Sequence, residues 1–265
     1  MYSRAIRVDN AVLAYDVQGQ GSRALLLFHG AGQDRSVFAN LPDGLTRTYR
    51  VYSFDLFFHG QSEWNEEDPV TKPRWAALMR QFLEDEQVGK LAVLGYSIGA
   101  RFALATIESF PRQTTDCYLV APDGLLSNPW FTIATGSVVG RSVFGHVMNH
   151  PKDLSRLFRL GSALRLIDPA TLRFIEHQLD SSSKRQRIFK SWTGFRLLQL
   201  NLSALQRLLD SSGIRLIVFL ATRDRLVPEQ KVRTFLKRLK SAHLEIIDSN
   251  HRRVLNDALK RIAAS

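Results

Sequence analysis

Short unbroken apolar runs punctuate the first half of the chain, and segments with helical spacing lie between them. Ala11–Val17, Ala24–Phe28 (ALLLF), Val51–Phe54, Leu91–Leu94 (LAVL) and Tyr118–Val120 are predicted strands. Ile214–Leu220 (IRLIVFL) and Leu244–Ile247 repeat the pattern late in the chain. A run without polar alternation suits a strand covered on both faces. The pattern therefore predicts an α/β fold with a mostly parallel sheet and helices on both sides. The spacing from Gly99 to Ser109 predicts one of those helices. Right-handed crossovers then collect the strand ends, and the chemistry, along one edge of the sheet.

The rhythm stops between residues 125 and 210. Helical patterns occupy this stretch, at Lys152–Leu160, Pro169–Leu179 and Gln186–Leu209, and it holds no good strand. We read 1–124 and 211–265 as one core and 125–210 as an all-helical insertion whose last helix returns to the core. Trp130, Phe131, Phe144, Phe158, Phe174, Phe189, Trp192 and Phe195 are expected to pack that insertion.

Composition narrows the class. A chain of 265 residues, 45% hydrophobic and 23% charged, can build a sizeable core. One cysteine, Cys117, excludes an internal disulfide framework and a multi-cysteine zinc site. No uninterrupted apolar run reaches the ~18 residues of a membrane span, and the start, MYSRAIRVDN, lacks a signal-peptide core. A cytoplasmic location is the expectation. The net charge of +11 is uneven: residues 1–124 carry 12 Lys and Arg against 15 Asp and Glu, whereas 125–210 and 211–265 each carry 12 against 5. The basic second half suits an anionic membrane or an anionic substrate, or is a solvated surface. No nucleic-acid module is present in the pattern, so no nucleic-acid partner is expected.

Gly95-Tyr96-Ser97-Ile98-Gly99 is a G-x-S-x-G directly after the LAVL strand and at the start of the ARFALATI helix. That strand–turn–helix setting puts the serine on a sharp turn that tolerates only small neighbours, at the positive end of a helix. Other motifs follow in order. His29-Gly30-Ala31-Gly32 comes after ALLLF, and Asp55-Leu56-Phe57-Phe58-His59-Gly60-Gln61-Ser62 after the next strand; Asp224 and His251 come late. Together they resemble the α/β-hydrolase family over nearly the whole chain, with a helical cap as the insertion. The resemblance implies a catalytic triad of Ser97, Asp224 and His251, in that family's order. It also implies an oxyanion hole made by the backbone N–H groups of Ala31 and Ile98.

Each role has a rival. Asp224, in ATRDRLVP just past a strand, is the expected acid. Asp123, in VAPDG, is the other carboxylate at that edge, and a turn Asp224 paired with Arg223 or Arg225 is the structural alternative. His251, in DSNH before the last helix, is the expected base. His243 lies at the wrong end of its strand, His29 and His59 occupy structural motif positions, and His146, His150 and His177 lie in the insertion. Two departures from the family pattern stand out. Phe58, preceded by Phe57, replaces the usual Gly, and Asn250 replaces the Gly often found before the histidine.

A serine at the elbow argues against epoxide hydrolase and haloalkane dehalogenase chemistry, which uses an aspartate there. The expected activity is hydrolysis of a carboxylic ester or thioester on a small-molecule acyl substrate, with neither cofactor nor metal. A carbon–carbon bond hydrolase of the same fold is the alternative, and a non-catalytic binding or scaffold member is the alternative of another class. The arginines of the insertion (Arg156, Arg159, Arg165, Arg173, Arg185 and Arg187) are candidates for holding a substrate carboxylate or phosphate.

Overall fold

The computed structural model describes the 265-residue chain except residues 124, 126–128, 164–171, 173–175, 177, 225, 240–241 and 265. The described residues form two compact units, residues 1–126 with 197–265, and residues 127–196.

The first unit is built on a nine-stranded sheet. Its strands are β1 (Tyr2–Val8), β2 (Ala11–Gln18), β3 (Arg23–Phe28), β4 (Tyr49–Phe54), β5 (Glu63–Trp64), β6 (Leu91–Tyr96), β7 (Thr114–Val120), β8 (Arg215–Ala221) and β9 (Ala242–Ile247). The order is β1-β2-β4-β3-β6-β7-β8-β9, with β5 paired to β2. From β4 to β9 every pairing is parallel; β1, β2 and β5 add an antiparallel flank. The unbroken apolar runs are the parallel strands: all six residues of β6 are buried, as are five of six in β3. Helices α1 (Asp43–Thr48), α2 (Lys72–Asp85) and α3 (Gly99–Ser109) lie between the early strands in sequence. In α2, Trp75, Leu78, Met79, Phe82 and Leu83 recur at helical spacing and are buried, and Trp75 Nε1 donates to Thr106 Oγ1 of α3 at 3.0 Å.

Two strands have no counterpart in the apolar pattern. β1 buries only Ile6 and exposes Arg4, because it is a sheet edge, where charge discourages pairing with another chain. β5 is only two residues long.

The second unit is helical: α4 (Pro129–Thr135), α5 (Val138–Asn149), α6 (Pro151–Ala163) and α7 (Ser182–Gly194). Met148, Leu154 and Leu179 form its buried cluster, with Phe144, Val147, Phe158, Ile188 and Phe189 packed against them. The single helix expected over Gln186–Leu209 is two. α7 ends at Gly194, and α8 (Leu202–Ser212) begins after a break, capped by the Asn201 side chain accepting from Ala204 N at 3.0 Å. α8 belongs with the first unit: Leu205 and Leu209 are buried, and Gln206 Nε2 donates to Phe235 O. Residues 197–210, expected in the insertion, are therefore core. Phe174, His177 and most of the expected helix Pro169–Leu179 lie outside the described residues, as does the side chain of Trp130. Helices α9 (Glu229–Leu236) and α10 (Val254–Ala264) complete the first unit. Among the described residues no helix is long and apolar enough to cross a membrane.

Candidate active site

Ser97 sits between β6 and α3 with φ +52°, left-handed backbone that a serine rarely adopts. It is the one residue from 91 to 100 that is not fully buried. Sterics explain the flanking glycines. A Cβ at Gly95 would overlap the backbone of Ala100, and one at Gly99 would overlap the carbonyls of Phe28 and His29. The turn is pinned from both sides: Ser97 N donates to Val120 O at 2.9 Å, and Asp123 N donates to Ser97 O at 2.9 Å. A strained turn persists only where its surroundings over-determine it, and these bonds do so.

His251 and Asp224 meet across the ends of β8 and β9. His251 Nδ1 lies 2.7 Å from Asp224 Oδ2; the aspartate side chain is fully buried and the histidine 14% exposed. The other carboxylate oxygen, Oδ1, accepts Leu226 N at 2.8 Å and Val227 N at 3.3 Å, so the tight turn after β8 aims Oδ2 at the imidazole. Arg223 pairs with Asp248 instead, and Arg225 lies outside the described residues. The rival carboxylate, Asp123, accepts Arg101 Nε at 2.9 Å. Asn250 supplies what the absent glycine would not: its Oδ1 accepts the N–H groups of Arg252 and Arg253 and starts the turn into α10.

Tyr96, at the second position of G-x-S-x-G, where the motif specifies no residue, connects these parts. Its hydroxyl donates to His251 O at 2.7 Å, its ring centre is 5.5 Å from that of His251, and Gly30 lies against the same ring. Burial, with the nearby Asp224 charge, pushes the Tyr96 hydroxyl pKa well up, so it stays a donor.

The loop after β3 is held by side chains on both flanks of Ala31. Gly30 N donates to Gln33 Oε1 at 3.0 Å and Gly32 N to His59 Nε2 at 3.2 Å. His59 Nδ1 lies 2.9 Å from Phe57 O, and His29 places Nδ1 2.8 Å from Gly30 O while its Nε2 accepts Leu56 N at 2.9 Å. Each ring thus accepts at Nε2 and donates at Nδ1, a neutral tautomer assigned from its partners. Below them Asp55 accepts from Arg35 and Gln61, and Arg35 also pairs with Asp16 at 2.9 Å. Phe57 is fully buried against Trp64. Phe58, where the family pattern has Gly, takes the left-handed backbone that Gly favours, φ +66°, and is half-buried. The N–H of Ile98 lies in the first turn leading into α3, where helix geometry leaves donors without intrahelical acceptors.

The alpha/beta hydrolase fold family matches residues 23–256 of the chain. The chain belongs to the α/β-hydrolase fold family. An uncharacterized protein of Mycobacterium tuberculosis (strain ATCC 25618 / H37Rv) is 28% identical over 112 residues, 42% of this chain. The match spans about a third of that relative's length, 32%. A hydrolase from Pseudomonas aeruginosa PA01 superposes with a TM-score of 0.69 at 17% identity, covering 99% of this chain and 96% of that one. An esterase from Thermogutta terrifontis superposes with a TM-score of 0.66 at 17% identity, covering 100% and 96%. These likenesses establish the α/β-hydrolase fold.

The arginines of the second unit divide. Arg185 donates to the carbonyls of Met148 and Leu179 and so holds helices together. Arg156 pairs with Asp153, and Arg159 is exposed. Arg165 and Arg173 lie outside the described residues. Among the described residues no group of three or more His, Cys, Asp or Glu is placed to hold a metal.

Proposed function

We propose that the protein is a serine hydrolase cleaving a carboxylic ester or thioester through an acyl-enzyme on Ser97. The observation that carries this reading is the 2.7 Å contact between His251 Nδ1 and the buried, backbone-anchored Asp224. An ionised carboxylate only accepts, so Nδ1 carries the proton and Nε2 is left basic. Nε2 takes the Ser97 proton as Oγ attacks the acyl carbon. The tetrahedral oxyanion forms against the N–H groups of Ile98 and Ala31, and a donor of this kind is worth about 10²–10³ in rate. His251 then protonates the leaving alcohol or thiol. Water, activated by the same nitrogen, repeats the attack and releases the acid. Asp224 fixes the tautomer and stabilises the imidazolium, as its burial and pairing suit it to do.

The test is turnover of p-nitrophenyl esters of increasing acyl length, with fluorophosphonate labelling, by the wild type and Ser97→Ala. Turnover and labelling that both vanish in the variant are expected, and the length optimum sizes the acyl site. Labelling without ester turnover would narrow the substrate to a thioester or move the reaction to a carbon–carbon bond. A wild type that neither labels nor turns over would overturn the reading in favour of a binding protein.

A further inference from the structure

The second unit carries a surface that its own packing does not use. Ile133 at the end of α4 and Val138, Val139 and Val143 at the start of α5 are 66%, 74%, 72% and 58% exposed. Ile133 and α5 are neighbours, since a Cβ at Gly140 would overlap the Ile133 carbonyl. Four large aliphatic side chains thus share one corner, in a unit whose buried cluster uses other faces of α5 and α6. Exposed apolar groups gathered in this way mark interaction surfaces.

The same face continues into positive charge. One turn past Val143, His146 stacks on His150 at 4.0 Å and reaches Asp153 Oδ2 at 3.3 Å. Asp153 Oδ1 in turn accepts Arg156 at 2.8 Å. Lys152, Arg156 and Arg159, spaced along one exposed side of α6, line an open depression of about 350 Å³ together with Pro151 and Ser155. The charge around this face is one-sided. No acidic residue occurs from 124 to 152 or from 181 to 209, and residues 127–196 carry eleven Lys and Arg against four Asp and Glu.

We propose that this face docks the protein on a bilayer containing anionic phospholipid, with Ile133, Val138, Val139 and Val143 entering the headgroup region while Lys152, Arg156 and Arg159 engage lipid phosphates. An aliphatic tip flanked by cations is the arrangement that adds apolar burial to electrostatic attraction at such a surface. An acidic protein would complement the cations but not four adjacent aliphatic side chains. A second copy would complement the aliphatic tip while setting cation against cation. The inference stands on the second unit alone and is independent of the acyl chemistry proposed for Ser97.

The experiment is co-sedimentation of the full chain with phosphatidylcholine vesicles, with and without about one-third phosphatidylglycerol. Binding to the anionic vesicles only, weakened as NaCl rises from about 0.1 to about 0.5 M, is expected. Lys152→Gln/Arg156→Gln/Arg159→Gln should weaken partitioning by about a hundredfold, at about fivefold per cation. Val139→Asp/Val143→Asp should abolish it, with thermal unfolding unchanged because both side chains are already exposed. As a control for diffuse charge, Lys231→Gln/Lys237→Gln/Arg238→Gln on the first unit should bind as wild type does. Equal binding to neutral vesicles, no binding, or an equal loss in the control variant would overturn the proposal. So would a concentration-dependent dimer abolished by Val139→Asp/Val143→Asp, which would make the face a self-interface.

Discussion

The two units bury their apolar residues differently. In the first, β3, β6, β7 and β8 pair across long sequence separations, and their side chains, such as Leu26, Leu27, Val93 and Leu119, are entirely buried. In the second, neighbouring helices share a small cluster around Met148 and leave Ile133, Val138, Val139 and Val143 in solvent. Rigid parallel strands fix where their ends lie, and the Ser97, Asp224 and His251 turns all sit on such ends. Helices without that constraint can offer an apolar face outward. Under the two proposals made above, the acyl chemistry belongs to the sheet and the membrane contact to the insertion.

The largest effect should separate the two at the site itself. Asp224→Asn should lower kcat by about 10⁴, as expected when a triad histidine loses its tautomer, while Val139→Asp/Val143→Asp leaves turnover of a soluble ester unchanged. Steady-state kinetics of both variants would check this, and a small effect of Asp224→Asn would remove the acid from the scheme.

Truncation of a core side chain comes next. Leu27→Ala in β3 should cost about 3–4 kcal/mol in urea unfolding, whereas Val138→Ala should cost nothing measurable.

Buried and exposed carboxylates should differ in the same way. The Glu86 side chain is 1% exposed and accepts Tyr15 at 2.8 Å, Tyr52 at 3.2 Å, Arg4 at 2.6 Å and Arg50 at 3.0 Å. Burial alone would raise its pKa, but the hydrogen bonds from Tyr15 and Arg4 and the positive charge outweigh it and hold the carboxyl below its ordinary value. A carboxyl with a lowered folded-state pKa stabilises the fold above the unfolded value, and that contribution disappears as pH falls through the folded one. Glu86→Gln should therefore cost about 2 kcal/mol near pH 7 and distinctly less near pH 3, read from unfolding at both. Asp153, on the exposed face of the second unit, is also held below its ordinary value by its hydrogen bond to His146 and by Arg156, but solvent screens it, so Asp153→Asn should show a dependence of the same sign and much smaller size.

The smallest effect belongs to Tyr96→Phe. Losing the donor to His251 O should lower kcat by about tenfold and leave KM unmoved, since the tyrosine acts through the histidine loop. An equal change in KM would assign it to substrate binding instead.

The sheet was legible because its strands are apolar on both faces, a signal that needs no knowledge of neighbours. β1 was not, because an edge strand buries one side chain and its position comes from pairing with β2. The turns bearing Ser97, Asp224 and His251 stood out through their order along the chain, which reflects the order of the strands. Tyr96 and the Asp123–Arg101 pair did not, because their meaning arises only when separate segments meet: Tyr96 touches a carbonyl 155 positions away. Phe58 was visible as a departure but not as strain, because a positive φ is imposed by the loop around it. The break between α7 and α8 escaped because apolar spacing runs through both helices.

The first unit is interrupted in the chain by the whole of the second, and this sets a timetable for biosynthesis. Synthesis runs from the N-terminus, so the serine turn and six of the sheet's nine strands are made before the insertion, as is β7 directly after them. β8, with Asp224, and β9, with His251 beyond it, come only afterwards. A nascent chain stopped anywhere in the helical segment holds the proposed nucleophile with neither of its partners and exposes the β7 edge that β8 will cover. The proposed triad cannot assemble until β8 and β9 have both followed the insertion, so a chain released within the helical segment would hold Ser97 without Asp224 or His251 and with an uncovered sheet edge.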